Sequence, residues 1–148
     1  MYAIEIYANN YLTRLHDLEI LNNRLLRIVQ SKTWNASTKQ LYIDFNTLPI
    51  HNLFKLQIIS HAHALVNHSV NLPQIFHNDF LSNRQIHTHS TRSATDFHRM
   101  ATNSSFGDRL SMNICAKFWN SLPSYLKSNL SPFQFKKLLK IYLRDEPS

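Results

Sequence analysis

Residues 11–30 read YLTRLHDLEILNNRLLRIVQ, and their spacing decides the fold class. Leu12, Leu15, Leu18, Leu21, Leu25 and Val29 recur at steps of three and four, which draws one apolar stripe along a helix. Arg14, Arg24 and Arg27 fall mostly off that stripe. The helical period returns at residues 51–68, where Leu53, Phe54, Leu56, Ile58, Ile59, Ala62, Leu65 and Val66 make a broader apolar face. It returns again at the end of the chain. There Ser131 fits an N-cap and Pro132 the first helical position, and Phe133, Phe135, Leu138, Leu139, Tyr142 and Leu143 are expected on one side. Lys136, Lys137, Lys140 and Arg144 take the other side.

The connections follow from breaks in this period. Residues 31–36 read as a loop, after which Ser37 can cap a short helix through Phe45. Pro49 opens the helix at 51–68, and Pro73 suits the first turn of a short helix reaching about Phe80. Residues 2–7 fit either a short strand or a helix end. Residues 82–108 are polar, without sustained period, and read as a long loop. Residues 109–121 leave strand or helix open, and Pro123 stops either one. The expected fold is mainly α, with four to five helices and a polar loop at about residues 82–108.

Composition removes many function classes. Gly107 is the only glycine, where average usage would supply about ten. No Walker loop, Rossmann fingerprint, nucleophile elbow or kinase glycine loop can be built from one glycine. Cys115 is the only cysteine, which excludes an intrachain disulfide and a multi-cysteine zinc site. A single cysteine suits a reducing compartment, cytoplasm or nucleus. No apolar run approaches the roughly 18–20 residues that span a bilayer, and the opening Met-Tyr-Ala-Ile-Glu-Ile is not a signal peptide. No membrane partner is expected.

Catalytic and metal chemistry finds little support. His61 and His63 lie two apart on an expected helix and point away from each other, so they cannot share an ion. His87 and His89 lie in the loop without a third ligand placed by spacing. The acids show no close pair before Asp145-Glu146 near the end of the chain. Cys115 with one of nine histidines is a combination that chance supplies, and a buried inert thiol is the better reading. No catalytic residue, metal site or cofactor is expected.

Charge points elsewhere. Sixteen Lys and Arg face nine Asp and Glu, a formal net charge of +7. Residues 1–74 hold six basic and four acidic side chains; residues 75–148 hold ten and five. Basic surfaces attract polyanions, because each cation placed on a phosphate releases a counterion. Lys117, Trp119 and the Lys136-Lys137-Lys140-Arg144 face combine cations with aromatics, as a surface that grips phosphates and stacks bases would.

Several blocks, taken in order, resemble the reverse transcriptases of LINE-type, Jockey-like non-LTR retrotransposons. Tyr2-Ala3-Ile4-Glu5-Ile6-Tyr7 is similar to that family's entry into the helix behind its palm. Leu21-Asn22-Asn23-Arg24-Leu25-Leu26-Arg27-Ile28 resembles its Leu-Gln-Asn-Arg/Lys-x-Leu-Arg-Ile helix. Thr47-Leu48-Pro49-Ile50 and Phe54-Lys55-Leu56-Gln57 resemble the step that follows. Ile86-His87-Thr88-His89-Ser90-Thr91-Arg92 resembles Ile-His-Ser-Tyr-Asn-Thr-Arg. Phe106-Gly107 with Arg109 and Ser111 is similar to Tyr/Phe-Gly-x-Arg-Ser. Lys117-Phe118-Trp119-Asn120-Ser121-Leu122-Pro123 resembles Lys-Leu-Trp-Asn-Ser-Leu/Ile-Pro, and residues 133–140 resemble the closing Ser-Phe-Lys-Lys-x-Leu-Lys helix. The resemblance covers nearly the whole chain, although Cys115-Ala116 stand where the family often has Gly then Pro or Ser.

The resemblance implies a position behind the catalytic palm: a thumb-like segment over residues 1–34 and a C-terminal helical region over 35–148, not a complete polymerase fold. It implies a reading frame that begins inside an older element. It gives Arg24, Arg27 and Lys32 a role on the backbone of a template-primer duplex, and adds Arg92 and Arg109 from its blocks. The implied partner is RNA or an RNA–DNA hybrid. The parent polymerase uses Mg2+, but its aromatic-x-Asp-Asp motif and the endonuclease acids are absent, so the chain is expected not to be an enzyme on its own. The competing expectation is a repurposed or degenerate helical module that binds proteins through apolar faces the missing palm leaves uncovered. A small hydrolase built on Cys115 is the third.

Overall fold

The computed structural model describes residue 4 and residues 8–9, 12–67, 81–88, 92–128 and 130–146. Among the described residues the chain is mainly α-helical and forms no strand. In chain order the helices are α1 (Leu12–Val29), α2 (Thr38–Asp44), α3 (Ile50–Asn67), the single turns α4 (Asn83–Ile86) and α5 (Ser105–Asp108), α6 (Ser111–Asn120) and α7 (Pro132–Asp145). The helix expected at residues 73–80, and residues 2–7 apart from Ile4, lie outside the described residues. No helix among them is long and apolar enough to cross a membrane. The chain divides into two compact units, residues 1–55 with 140–148, and residues 56–139. The residue-34 boundary implied by the resemblance falls inside the first unit.

In the first unit, α1 and α2 end the same way. Ser31 and Asn46 take the left-handed conformation, with φ of 51° and 49°. The N–H of Lys32 then donates to the Arg27 carbonyl at 2.9 Å, and the N–H of Thr47 to the Tyr42 carbonyl at 2.9 Å. These are Schellman closures, which usually place glycine at the left-handed position. Leu26, Leu41 and Tyr42 are buried together against Ala36. The Tyr42 hydroxyl accepts from Asn22 at 3.0 Å and donates to Asn23 at 2.7 Å. Burial raises its pKa, so the phenol stays neutral. Near the chain's end, buried Asn52 donates to the Leu143 carbonyl at 2.8 Å, and Lys55 pairs with Glu146 at 2.8 Å.

One expectation for α1 is overturned. Leu15 is buried, but Leu18, Leu21, Leu25 and Val29 of the expected core stripe are exposed, as is Ile28. At about 100° per residue, Leu15 and Leu26 share one line along the helix, while Leu18, Leu21, Leu25 and Ile28 run along a second line roughly a quarter turn away. The recurrence at three and four residues merges two stripes that the packing separates.

The second unit is built around aromatic rings. The His63 ring stacks on Phe135 with centroids 3.9 Å apart. Trp119 lies 6.2 Å from Phe135 and 5.8 Å from Phe97. Ile59, Ala62, Leu65, Leu122, Leu126 and Leu139 are buried in the same unit. Residues 109–121, open between strand and helix, supply α6. Its half-buried Met112 and buried Cys115, Ala116 and Trp119 follow the helical spacing i, i+3, i+4, i+7.

The described part of the polar segment before α6 carries the turns α4 and α5 and makes no regular sheet. Ser82 and Phe97 form an isolated antiparallel bridge. Two asparagines of α6 then take up its backbone groups. The Phe97 N–H donates to Asn120 Oδ1 at 2.9 Å, and Asn120 Nδ2 donates to the Phe97 carbonyl at 2.9 Å. Buried Asn113 accepts from the Met100 N–H at 3.0 Å and donates to the Gly107 carbonyl at 3.0 Å. A carboxamide offers the same donor and acceptor as a peptide group, so each side chain replaces a missing ladder partner. Gly107 is sterically required, since a Cβ there would stand 2.7 Å from both Cβ and Cγ2 of Thr102.

Candidate nucleic-acid interface

From residue 109 to residue 144 the chain carries seven Lys and Arg and not one acid. Three of these cations are exposed without a hydrogen bond or ion pair among the described residues: Lys117 on α6, and Lys136 and Lys137 on α7. The local sequence explains how α7 presents them. Ser131 caps the helix in a reciprocal box with Gln134: its hydroxyl accepts from the Gln134 N–H at 3.4 Å, and Gln134 Oε1 accepts from the Ser131 N–H at 3.4 Å. Burial of Phe135, Leu139 and Leu143 then fixes the rotation of the helix. Lys136 and Lys137 are left facing water.

The apolar face of α7 is narrower than the sequence reading has it. Leu138 is partly exposed, and Phe133 is 80% exposed. Phe133 and Phe135 are two residues apart and so point about 200° from each other on a helix. The ring of Phe133 therefore sits beside Lys136 and Lys137, its neighbours at i+3 and i+4, and not beside the core residues.

Trp119 requires a correction. Only 5% of it is exposed, and its ring packs among Phe97, His63 and Phe135. A residue placed there cannot stack a base without dismantling the core. Lys117, two residues earlier on α6, remains exposed.

Other expected contacts are engaged inside the protein. Arg27 donates to the Ala36 carbonyl at 3.3 Å and holds the α1–α2 connection. Lys32 pairs with Asp44 at 3.4 Å. A hydrogen bond from Gln40, together with Lys32, holds the Asp44 carboxyl below its ordinary range. Arg109 is half-buried, and its Nε donates to the Ser105 carbonyl at 3.1 Å. Lys140 donates to the backbone and side-chain oxygens of Asn46, and Arg144 donates to the same side chain at 2.9 Å. Partial burial, and then the charge of Arg144, lower the Lys140 pKa. These two cations secure the left-handed turn at Asn46. Arg24 and Arg92 are exposed at separate places in the chain.

Other chemistry is sparse. A cleft of about 350 Å³ in the first unit is lined by Tyr42, Leu48, Pro49 and Asn52, with Lys39 and Arg144 offset by Asp145 and Glu146. That mixed lining gives no net attraction for a polyanion. Cys115 is buried, and desolvation pushes its pKa up to about 12, so the thiol is protonated at neutral pH and is a poor nucleophile. His61 is exposed and His63 buried, in keeping with their spacing. Among the described residues no three His, Cys, Asp or Glu side chains are grouped to hold a metal ion.

Two kinds of residue escaped the sequence reading. Asn113 and Asn120 act on distant backbone, which no local pattern announces. Phe133 was legible, because the two-apart rule that separates His61 from His63 also separates Phe133 from Phe135. Comparison of the chain with family models, with curated proteins and with solved structures found no match.

Proposed function

We propose that this chain is the thumb and post-thumb portion of a LINE-type reverse transcriptase and that it holds nucleic acid by its phosphate backbone. One observation carries the binding role: the acid-free stretch of residues 109–144 exposes Lys117, Lys136 and Lys137. Unpaired surface cations release counterions from a nucleic acid at little desolvation cost, whereas Arg27, Lys32 and Lys140 would first have to leave their partners. The role is holding, not transfer. The parent polymerases place Mg2+ through an aromatic-x-Asp-Asp motif, which the sequence of this chain does not contain, so no transfer step is assigned to it.

The test is binding of the purified chain to a labelled RNA–DNA hybrid and to single-stranded RNA across a salt series. The expected result is affinity that falls steeply with salt for both. In the Lys136→Ala/Lys137→Ala variant the slope on single strands should flatten by about 1.4, the loss of two phosphate contacts. Absence of binding at low salt from a sample that is helical by circular dichroism would overturn the proposal.

A second reading rests on α1. Leu18, Leu21, Leu25 and Ile28 form a contiguous exposed stripe, and contiguous apolar surface is the usual mark of a protein-binding face. A helical protein-interaction module would use that stripe, and its binding would be indifferent to Lys136 and Lys137.

A further inference from the structure

We propose that Phe133, Lys136 and Lys137 form a contact specific for single-stranded nucleic acid, in which one base stacks on the Phe133 ring and the lysines hold flanking phosphates. The inference rests on the nucleic-acid reading above and adds to it the form of the ligand.

An exposed phenyl ring is ordinary by itself. Its surroundings distinguish this one. Phe133 is followed at i+3 and i+4 by two exposed lysines, which places both ammonium groups on the same side of α7 as the ring. No acidic side chain intervenes on the helix before Asp145, so the local charge complements a phosphate backbone. Trp34 provides the contrast. It is equally open to solvent, but nearby Lys32 is paired with Asp44 and Arg27 is turned to the Ala36 carbonyl. An aromatic platform serves nucleic acid when unpaired cations flank it, and of these two only Phe133 meets that condition.

The chemistry then separates single from double strands. In a duplex the faces of the bases are covered by their neighbours, and only phosphates are offered to α7. In a single strand a base can turn onto the ring. Stacking needs no particular base, since each has a π-face, so the contact reads strandedness and not sequence.

The experiment measures fluorescence anisotropy of labelled single-stranded RNA and of an RNA–DNA hybrid, with the full chain and three variants. Phe133→Ala should weaken single-strand binding by roughly five- to a hundredfold and leave the hybrid nearly unchanged. Its salt slope should match the wild type, because no charge is removed. Phe133→Trp should restore single-strand affinity. Lys136→Ala/Lys137→Ala should weaken both ligands and flatten both slopes. If Phe133→Ala leaves single-strand binding intact while the lysine variant still weakens it, the stacking inference is overturned and the backbone-binding reading stands. If Phe133→Ala weakens both ligands alike, the strand preference is overturned. If the wild type binds neither ligand, both readings fall together.

Discussion

Helices α1 and α7 carry similar sequence signals and meet different fates. Each repeats large apolar residues at three and four and sets cations off that line. In α7 the buried line is complete, with Phe135, Leu139 and Leu143 all nearly inaccessible. Among the residues of α1 whose side chains are described, only Leu15 and Leu26 are buried, and a parallel line of leucines lies in water. Periodicity identifies which residues share a face. It does not say whether that face has a partner, because the partner lies elsewhere in the sequence or in another molecule.

The largest expected effect tests this contrast directly. Leu139→Ala should destabilise the protein by about 2–5 kcal/mol, combining lost transfer energy with the cavity left behind. Leu25→Ala, at a residue 57% exposed, should change stability by about 0.5 kcal/mol or less. Urea titrations of both variants beside the wild type provide the comparison. A large loss for Leu25→Ala would break the contrast and show that the α1 leucines are covered in solution.

Glycine sharpens the comparison in the second unit. Gly107→Ala should cost about 1–3 kcal/mol, because the new methyl meets Thr102 on a Cβ that no rotamer can move away. Asn113 bonds the Gly107 carbonyl, so relief by backbone shift would disturb a buried hydrogen bond. Thermal unfolding followed by circular dichroism reads the effect. A loss below about 0.5 kcal/mol would mean that this segment moves freely despite its two asparagine anchors.

These elements also mark what was legible. The mainly α fold was readable from three periodic stretches and from the scarcity of glycine, since both are local properties. Rotation of a helix depends on what it packs against, so the burial pattern of α1 is not local information, whereas the exposure of Phe133 follows from its two-residue offset from Phe135. In the described part of segment 82–108, Asn113 and Asn120 bond the backbone at Phe97, Met100 and Gly107 in place of a strand partner, an arrangement that leaves no period in the sequence. Among the candidate cations, charge alone could not distinguish Lys136 and Lys137 from Lys140. The distinction comes from Asn46, ninety-four residues away from Lys140 in the chain. Trp119 and Lys117 are close in sequence, yet on a helix residues two apart point in different directions, and one reaches the core while the other reaches solvent.

The smallest expected effect separates two turns that look alike. Ser31 and Asn46 both hold left-handed backbone at a helix end, where a side chain is disfavoured relative to glycine. Ser31→Gly should stabilise by up to about 1 kcal/mol, with part of the relief offset by the extra freedom glycine gives the unfolded chain. Asn46→Gly relieves less backbone strain, because asparagine tolerates the left-handed region better than serine, and it deletes the side-chain oxygen that accepts from both Lys140 and Arg144. Those cations are only partly exposed, so losing a shared acceptor should cancel the gain or reverse it. Chemical denaturation of the two single variants decides the matter. Equal stabilisation would show that the Asn46 side chain holds neither Arg144 nor Lys140, which keeps its bond to the backbone carbonyl of residue 46 in either variant. Opposite signs would fix Lys140 and Arg144 as structural, leaving Lys136 and Lys137 as the α7 cations open to nucleic acid.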